Sequence, residues 1–239
     1  MVRRIVPVLV TLSLAVAAAV PAQAARSATS LGVAASATAC IGKPYSYAGL
    51  QSASDANGVS AVLSPTAAPA VFDGHVGAWI GVGGVNAGPN GVAEWLQTGL
   101  AAFTDDKTSH LYYEVTPPGG APAYHEVRAS VAPGEHHTVA VLEVPDRSSW
   151  WRVWVDGKAV SPAISLPGSH DAWAPQAVAE NWNGGTGTCN AYAYEFSNLQ
   201  LQSESGGWQP FASNYTFEDP GYKVVRTAQP TRFLATSVR

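Results

Sequence analysis

Short stretches of alternating apolar and polar residues, separated by turn residues, run along most of this 239-residue chain. They predict a series of strands, at 58–63, 111–115, 123–130, 138–144, 150–155 and 191–201. The pair Asp156-Gly157 predicts a tight hairpin turn. No helical period of 3.6 residues occurs beyond residue 24. The pattern is typical of an all-β fold, an antiparallel β-sandwich of two curved sheets of the concanavalin-like or jelly-roll type.

The first 24 residues have a different character. Arg3 and Arg4 precede an uncharged run of 16 residues, Ile5–Val20, and Ala22-Gln23-Ala24 fits a small-x-small cleavage site. The run is short for a membrane span, although a retained anchor is the alternative. We therefore expect residues 1–24 to be a signal peptide. The mature protein would then be secreted and extracellular, with no membrane contact after cleavage.

The remaining chain divides by composition. Residues 25–39 are rich in Ala, Ser and Thr, which predicts a disordered lead-in or a short pro-segment. Residues 40–239 show no repeat and no linker, and we expect them to form a single β-sandwich domain. Cys40 and Cys189 are the two cysteines of the chain. In an exported protein an even pair predicts a disulfide.

Charge and motif content exclude several functions. Removal of Arg3 and Arg4 leaves 11 of the 13 Lys and Arg residues, against 17 Asp and Glu residues. The sequence also has no basic patch, so we expect no nucleic-acid partner. There is no His-Glu-x-x-His, and two cysteines are too few for structural zinc, so we expect no metal and no other cofactor. No Gly-x-Ser-x-Gly motif is present. Charged residues make up 13% of the chain, so few ion pairs can be lost when carboxylates become protonated. This composition suits an acidic medium, and it is equally consistent with an ordinary low-charge secreted β protein.

The stretch from 79 to 99 carries the strongest candidate chemistry. It reads Trp79-Ile80-Gly81-Val82-Gly83-Gly84, then a Gly/Pro/Asn loop, then Trp95-Leu96-Gln97-Thr98-Gly99. Because side chains alternate across a strand, Trp95, Gln97 and Gly99 share one face. An aromatic ring, an amide and a gap on one face favour a substrate site over a packed core.

These two motifs, in this order, resemble the secreted glutamic peptidases, or eqolisins, in which Leu-Gln-Thr-Gly carries the Gln of a catalytic Gln/Glu pair. The resemblance covers most of the mature chain but is dense only around residues 79–99. It implies a secreted, acid-acting endopeptidase with a polypeptide substrate, with Gln97 stabilising the oxyanion. We expect it to act as a monomer.

The family's Glu motif is Ala-Glu-Trp-Ile-Val-Glu, of which the first Glu is catalytic. Two segments compete for it. Ala179-Glu180-Asn181-Trp182 keeps Ala-Glu and shifts the Trp by one position, whereas Asn190–Phe196 begins with Asn-Ala but has Tyr192 in place of the Glu. Residues 193–198 resemble the family's next strand, so the resemblance assigns the catalytic role to Glu180 in preference to Glu195. A chain with no catalytic Glu is the alternative.

The resemblance also implies which residues line the substrate groove. Leu111-Tyr112-Tyr113-Glu114-Val115 resembles the family's Trp-Tyr-Glu-Trp strand. Glu114 and the adjacent Tyr113, together with Trp79 and Trp95, are therefore expected to bind substrate. The alternative for Glu114 is a position on the solvent face of its strand.

Two other classes of function stay open. A catalytically inactive β-sandwich could bind carbohydrate or protein, with its Trp and Tyr rings as a platform. A structural secreted protein would leave Gln97 and Glu180 far apart. The discriminating observation is whether Gln97 and Glu180 face each other on one concave sheet face.

Overall fold

The computed structural model describes residues 44–238, which fold into two antiparallel β-sheets packed face to face. The strands of this part of the chain are β1 (Tyr45–Ser52), β2 (Gly58–Pro65), β3 (His75–Gly84), β4 (Glu94–Phe103), β5 (Ser109–Thr116), β6 (Ala123–Val131), β7 (His137–Glu143), β8 (Trp150–Val155), β9 (Lys158–Ala159), β10 (Ile164–Ser165), β11 (Gln176–Trp182), β12 (Ala193–Gln202), β13 (Trp208–Pro210), β14 (Asn214–Glu218), β15 (Tyr222–Arg226) and β16 (Phe233–Ser237). The helical structure described is one 3₁₀ turn, Pro89–Gly91. The predicted all-β antiparallel sandwich is confirmed.

Each sheet is built from strands that are distant in sequence. The front sheet has the order β14-β1-β11-β3-β4-β5-β6. The back sheet has the order β10-β8-β7-β2-β12-β16-β15, with β9 paired to β8 and β13 paired to β12. In the front sheet the late strand β11 lies between β1 and β3, so the candidate Glu segment is inserted beside the strand that carries Trp79.

Strict alternation along β3 separates core from site. Val76, Ala78 and Ile80 are fully buried and pack toward the back sheet. The alternate positions, which include Trp79 and Gly81, therefore face the outer side of the front sheet. From the back sheet, β2, β7 and β12 bury apolar side chains against the same core, among them Val59, Leu63, Val141, Tyr194 and Phe196.

The sharpest local prediction is also confirmed. Strand β8 spans Trp150–Val155, and Asp156 and Gly157 follow it with φ of 48° and 73°. A type I′ turn requires positive φ at both central residues, and Asp-Gly accepts this at little steric cost.

Several predictions concern residues outside the described part of the chain. The signal peptide, the lead-in at 25–39 and Cys40 all lie there, so the Cys40–Cys189 disulfide and the domain bounds stay predictions. Among residues 44–238, no helix has the length and apolar character needed to cross a membrane.

Candidate active site

A cleft of about 610 Å³ opens on the outer face of the front sheet. Its lining contains five of the residues singled out from the sequence, namely Trp79, Trp95, Gln97, Glu114 and Glu180. They come from four strands, β3, β4, β5 and β11, and share one face because each occupies an outward position of its strand. The fold thus gathers these residues into one site.

Gln97 lies near the centre of this face. Gln97 is 8% exposed, and its side-chain amide nitrogen donates a hydrogen bond of 3.1 Å to the hydroxyl of Tyr112. Burial raises the pKa of the Tyr112 hydroxyl well above its usual value, so that hydroxyl stays neutral. The contact fixes the orientation of the Gln97 amide without placing a charge beside it.

Glu114 is the direct cross-strand partner of Gln97. The indole nitrogen of Trp95 donates to the Glu114 carboxylate at 3.0 Å. Burial raises the pKa of Glu114; the Trp95 hydrogen bond lowers it, and the negative charge of Glu180 raises it again. The two carboxylates of the cleft are therefore electrostatically coupled.

Glu180 is held by two ring nitrogens from β3. Its Oε2 accepts a hydrogen bond of 3.1 Å from Trp79 Nε1, and its Oε1 lies 3.3 Å from His75 Nε2. The Glu180 side chain is 13% exposed, so it reaches the cleft but is mostly enclosed. The sequence reasoning identified Trp79 and Glu180 but missed His75 as a partner.

Gln97 and Glu180 do not oppose each other directly. Gln97 pairs with Gly81, whereas Glu180 pairs with Gly77, four residues away on the same strand. On a flat sheet, a separation of four residues along the strand and two strands across the sheet corresponds to a distance of roughly 16 Å between the Gln97 and Glu180 Cα atoms. Trp79 projects between them. Both residues line one cleft, but they are not direct cross-strand neighbours.

The residue opposite Gln97 is Gln176. Gly81 pairs with Gln97 on one side and with Gln176 on the other, and both glutamines line the cleft. Gln176 and Glu180 lie four residues apart on β11, so both project from the same face of that strand. The sequence reasoning did not identify Gln176, because its place opposite Gly81 depends on the register of β11 with β3.

Tyr113 does not line the cleft, and that prediction was wrong. Tyr113 is 8% exposed, belongs to the core between the sheets, and stacks on His125 with ring centroids 4.5 Å apart. It lies next to Glu114 in the chain, so the two side chains project to opposite faces of β5. Of the two adjacent tyrosines, Tyr112 is the one that shares the outer face with Glu114, where its hydroxyl contacts Gln97 beneath the cleft lining. The alternation rule that grouped Trp95 with Gln97 would have selected it.

One end of the outer face is aromatic. Tyr45, Trp182, His75 and Phe103 follow one another across β1, β11, β3 and β4, with successive ring centroids 5.4–6.2 Å apart. Tyr45 and Phe103 are 41% and 38% exposed. The row gives the Glu180 end of the cleft an apolar border. The sequence reasoning did not identify it, because the strands that bring the rings together are far apart in the chain.

Comparison with solved structures finds glutamic peptidases among the chains of similar fold. Scytalido-glutamic peptidase with a peptide-based transition state analog superposes with a TM-score of 0.57 at 17% identity, covering 81% of this chain and 98% of that one. SCP-B, a member of the eqolisin family, in complex with the tripeptide Ala-Ile-His gives a TM-score of 0.53 at 16% identity, with the same coverage. The chain shares the glutamic peptidase fold. At this identity the likeness describes the fold alone.

Sequence comparisons add no further relative. No protein-family model matches the chain. No curated protein matches it either.

Proposed function

We propose that this protein is a secreted endopeptidase that works in acid on extended polypeptides bound across the cleft. The observation that carries the proposal is the grouping of one amide, Gln97, with two carboxylates, Glu114 and Glu180, in a single cleft of about 610 Å³. The shared fold supports a polypeptide as the substrate class, because both neighbours were solved with peptide or peptide-like ligands. The leader-like residues 1–24 support secretion.

Peptide hydrolysis needs a base that takes a proton from water and a donor that stabilises the oxyanion. The side-chain NH₂ of Gln97 can donate to the oxyanion, and its carbonyl oxygen can hold the attacking water. Because an amide does not titrate, this function is available at any pH. The carboxylate that activates the water sets the acidic limit of the pH range, because it must be ionised to take a proton. Burial raises this limit for Glu114 above the reference Glu pKa of about 4.3.

Geometry favours Glu114 as the base beside Gln97. A general base must reach its proton directly or through one water. Cross-strand partners have Cα atoms about 4.5–5.5 Å apart, so one water can contact both Gln97 and Glu114. Glu180, the base that the resemblance implies, lies two strands away. We assign the role of general base to Glu114. Glu180 is the alternative base, and the variants described below distinguish the two.

A second function is favoured by one observation. The side chain across Gly81 from Gln97 is the amide of Gln176, which cannot act as a base. A cleft of this kind could bind polypeptide without cleaving it. This second candidate predicts peptide binding with no hydrolysis at any pH.

The experiment is cleavage of an unfolded protein substrate between pH 2 and pH 7. Gln97→Ala removes an oxyanion donor and should lower turnover about 10²–10³-fold. Glu114→Gln keeps the shape of the side chain and removes the base, so turnover should fall by orders of magnitude, with a smaller loss for Glu180→Gln. Glu195→Gln, on β12 of the back sheet, is the matched control and should behave as wild type.

The outcomes separate the alternatives. A larger loss in Glu180→Gln than in Glu114→Gln would transfer the base role to Glu180. Absence of wild-type cleavage at every pH, combined with measurable binding of the same substrate, would replace the peptidase with the binding module. Mature protein recovered from culture medium with an N-terminus near Ala25 would support secretion, and retention of residues 1–24 would contradict it.

A further inference from the structure

We propose that Gln176 is a substrate-positioning residue that, together with Gln97, holds the main chain of the bound polypeptide across Gly81. The inference rests on the polypeptide substrate class proposed above, but not on hydrolysis. Gln176 is assigned by register and not by any motif identified in the sequence. The two glutamines, Gln97 and Gln176, are called the amide pair below.

The register gives the amide pair its shape. Gln97 on β4 and Gln176 on β11 are both partners of Gly81 on β3, so their Cα atoms are two strands, or roughly 10 Å, apart. Both side chains line the cleft. The residue between them is a glycine, so no side chain of β3 stands between the two amides. A Cβ added at Gly81 would lie 2.6 Å from the Leu96 carbonyl oxygen and 2.9 Å from the Gln97 Cβ, so a larger residue there would require β4 to shift.

The Gln176 amide is available to a ligand. Gln176 is partly exposed. Within residues 44–238 its side chain makes no hydrogen bond to another group, whereas the Gln97 amide nitrogen is held by Tyr112. The amide pair therefore presents one anchored amide and one unengaged amide to a ligand.

The chemistry of the pair matches a peptide main chain. A primary amide presents two N–H donors and a carbonyl acceptor, and each peptide unit presents one donor and one acceptor. Those main-chain groups lose their water when the polypeptide enters the cleft, so they require replacement partners. Amides on both sides of the bound chain can supply them whatever side chains the substrate carries. Gln176 should therefore strengthen binding without dictating sequence.

The two flanks of Gln97 are chemically different. Glu114 adjoins it on β5, and Gln176 faces it across Gly81 from β11. A bound chain therefore meets an ionisable group on one side of Gln97 and a non-ionisable group on the other. On this proposal the Gln176 side fixes the position of the substrate and the Glu114 side carries the pH-dependent chemistry.

The test is direct binding of a peptide with a reduced, non-hydrolysable bond, monitored by titration calorimetry at pH 3 and pH 7. Gln176→Ala should weaken binding about 5- to 10-fold, the effect of losing one or two neutral hydrogen bonds. If wild type cleaves peptides, the same variant should raise KM with kcat nearly unchanged. Gln51→Ala is the matched control, because Gln51 is the other cross-strand partner of Gln176 but lies outside the cleft lining.

A second variant guards against a trivial folding defect. Gln176→Glu has nearly the same shape, and its carboxyl group is both donor and acceptor when protonated but only an acceptor when ionised. It should bind nearly as wild type at pH 3 and measurably more weakly at pH 7, relative to the wild-type change over the same range.

The results bear separately on the two proposals. Wild-type affinity in Gln176→Ala would overturn the positioning role even if the protein hydrolyses peptides. Weakened binding in Gln176→Ala supports the role even if no hydrolysis is found. Absence of any peptide binding by wild type would overturn both. An equal loss in Gln51→Ala would show that the effect is not specific to the cleft, and would also overturn the role.

Discussion

The indole nitrogen of Trp79 lies 3.1 Å from Glu180 Oε2 and donates a hydrogen bond that ties β3 to β11 within the cleft. Both residues were selected from the sequence for separate reasons, Trp79 as a groove residue and Glu180 as a catalytic one. Trp79 therefore lines the cleft and also donates a hydrogen bond to a carboxylate. Four predictions follow from this contact and from the other charged groups of the molecule.

Trp79→Phe should destabilise the protein. The variant keeps most of the ring but removes the donor to Glu180, and a hydrogen bond to a charged group contributes about 1.5–3 kcal/mol. We expect the free energy of unfolding, measured by urea titration, to fall by about that amount. Trp208→Phe, at a 44% exposed position on the short strand β13, is the control and should change it little. Equal stabilities for both variants would contradict the prediction.

Glu180→Gln should lower the pKa of Glu114. The charge of Glu180 raises the pKa of Glu114, because two nearby carboxylates resist ionising together. Replacing Glu180 by a neutral amide removes this effect and leaves the Trp95 hydrogen bond in place. The pKa can be followed by NMR titration of the labelled Glu114 carboxyl group. A pKa that stays the same or rises would show that the carboxylates are not coupled.

Trp95→Phe should shift the pKa of Glu114 in the opposite direction. The indole of Trp95 donates to the Glu114 carboxylate at 3.0 Å and favours its ionised form. Without that donor the pKa rises further. If Glu114 is the base, the acidic limb of the pH–rate profile should move toward neutral pH by the same amount. A moved pKa with an unmoved limb would remove Glu114 from the base role.

Glu94 should make the protein less stable as the pH rises. This side chain at the start of β4 is fully buried, and neither carboxylate oxygen has a hydrogen-bond partner among the described residues. Burial raises its pKa from 4.5 to about 7. Because the folded-state pKa is the higher one, the folded state binds the proton more tightly. The resulting stability is present in full below about pH 4.5 and is lost as the pH rises through 7.

The size of this effect is at most about 3.5 kcal/mol, since each pKa unit corresponds to about 1.4 kcal/mol. Glu94→Gln should match wild type in urea unfolding at pH 4 and exceed it at pH 8. The same pH dependence in both proteins would show that Glu94 does not cause it.

The sequence predicted features that depend on neighbours in the chain. Strand β8 and its Asp156-Gly157 turn were located to the residue, because an I′ turn has a specific local composition. Trp95 and Gln97 were correctly assigned to one face, because alternation is a property of a single strand. The strands that were not identified include β10 and β13, with two and three residues, which depend on pairing with distant segments.

The relation between Gln97 and Gln176 could not be predicted in this way. It depends on how β11 aligns with β3, and a shift of two residues in that register would keep the same faces but change the facing pair. The sequence spacing from Gln176 to Glu180 was available, but nothing local indicated which of the two would meet Gly81. Distances between such residues are fixed by tertiary pairing.

Strand β11 is paired along its whole length, to β1 on one side and to β3 on the other. A side chain that projects from such a strand can be exchanged while the backbone beneath it stays where it is. The chemical character of this surface is therefore separable from its architecture. A substitution at position 176 alone can therefore change the charge of the cleft floor while β11 keeps its pairing on both sides.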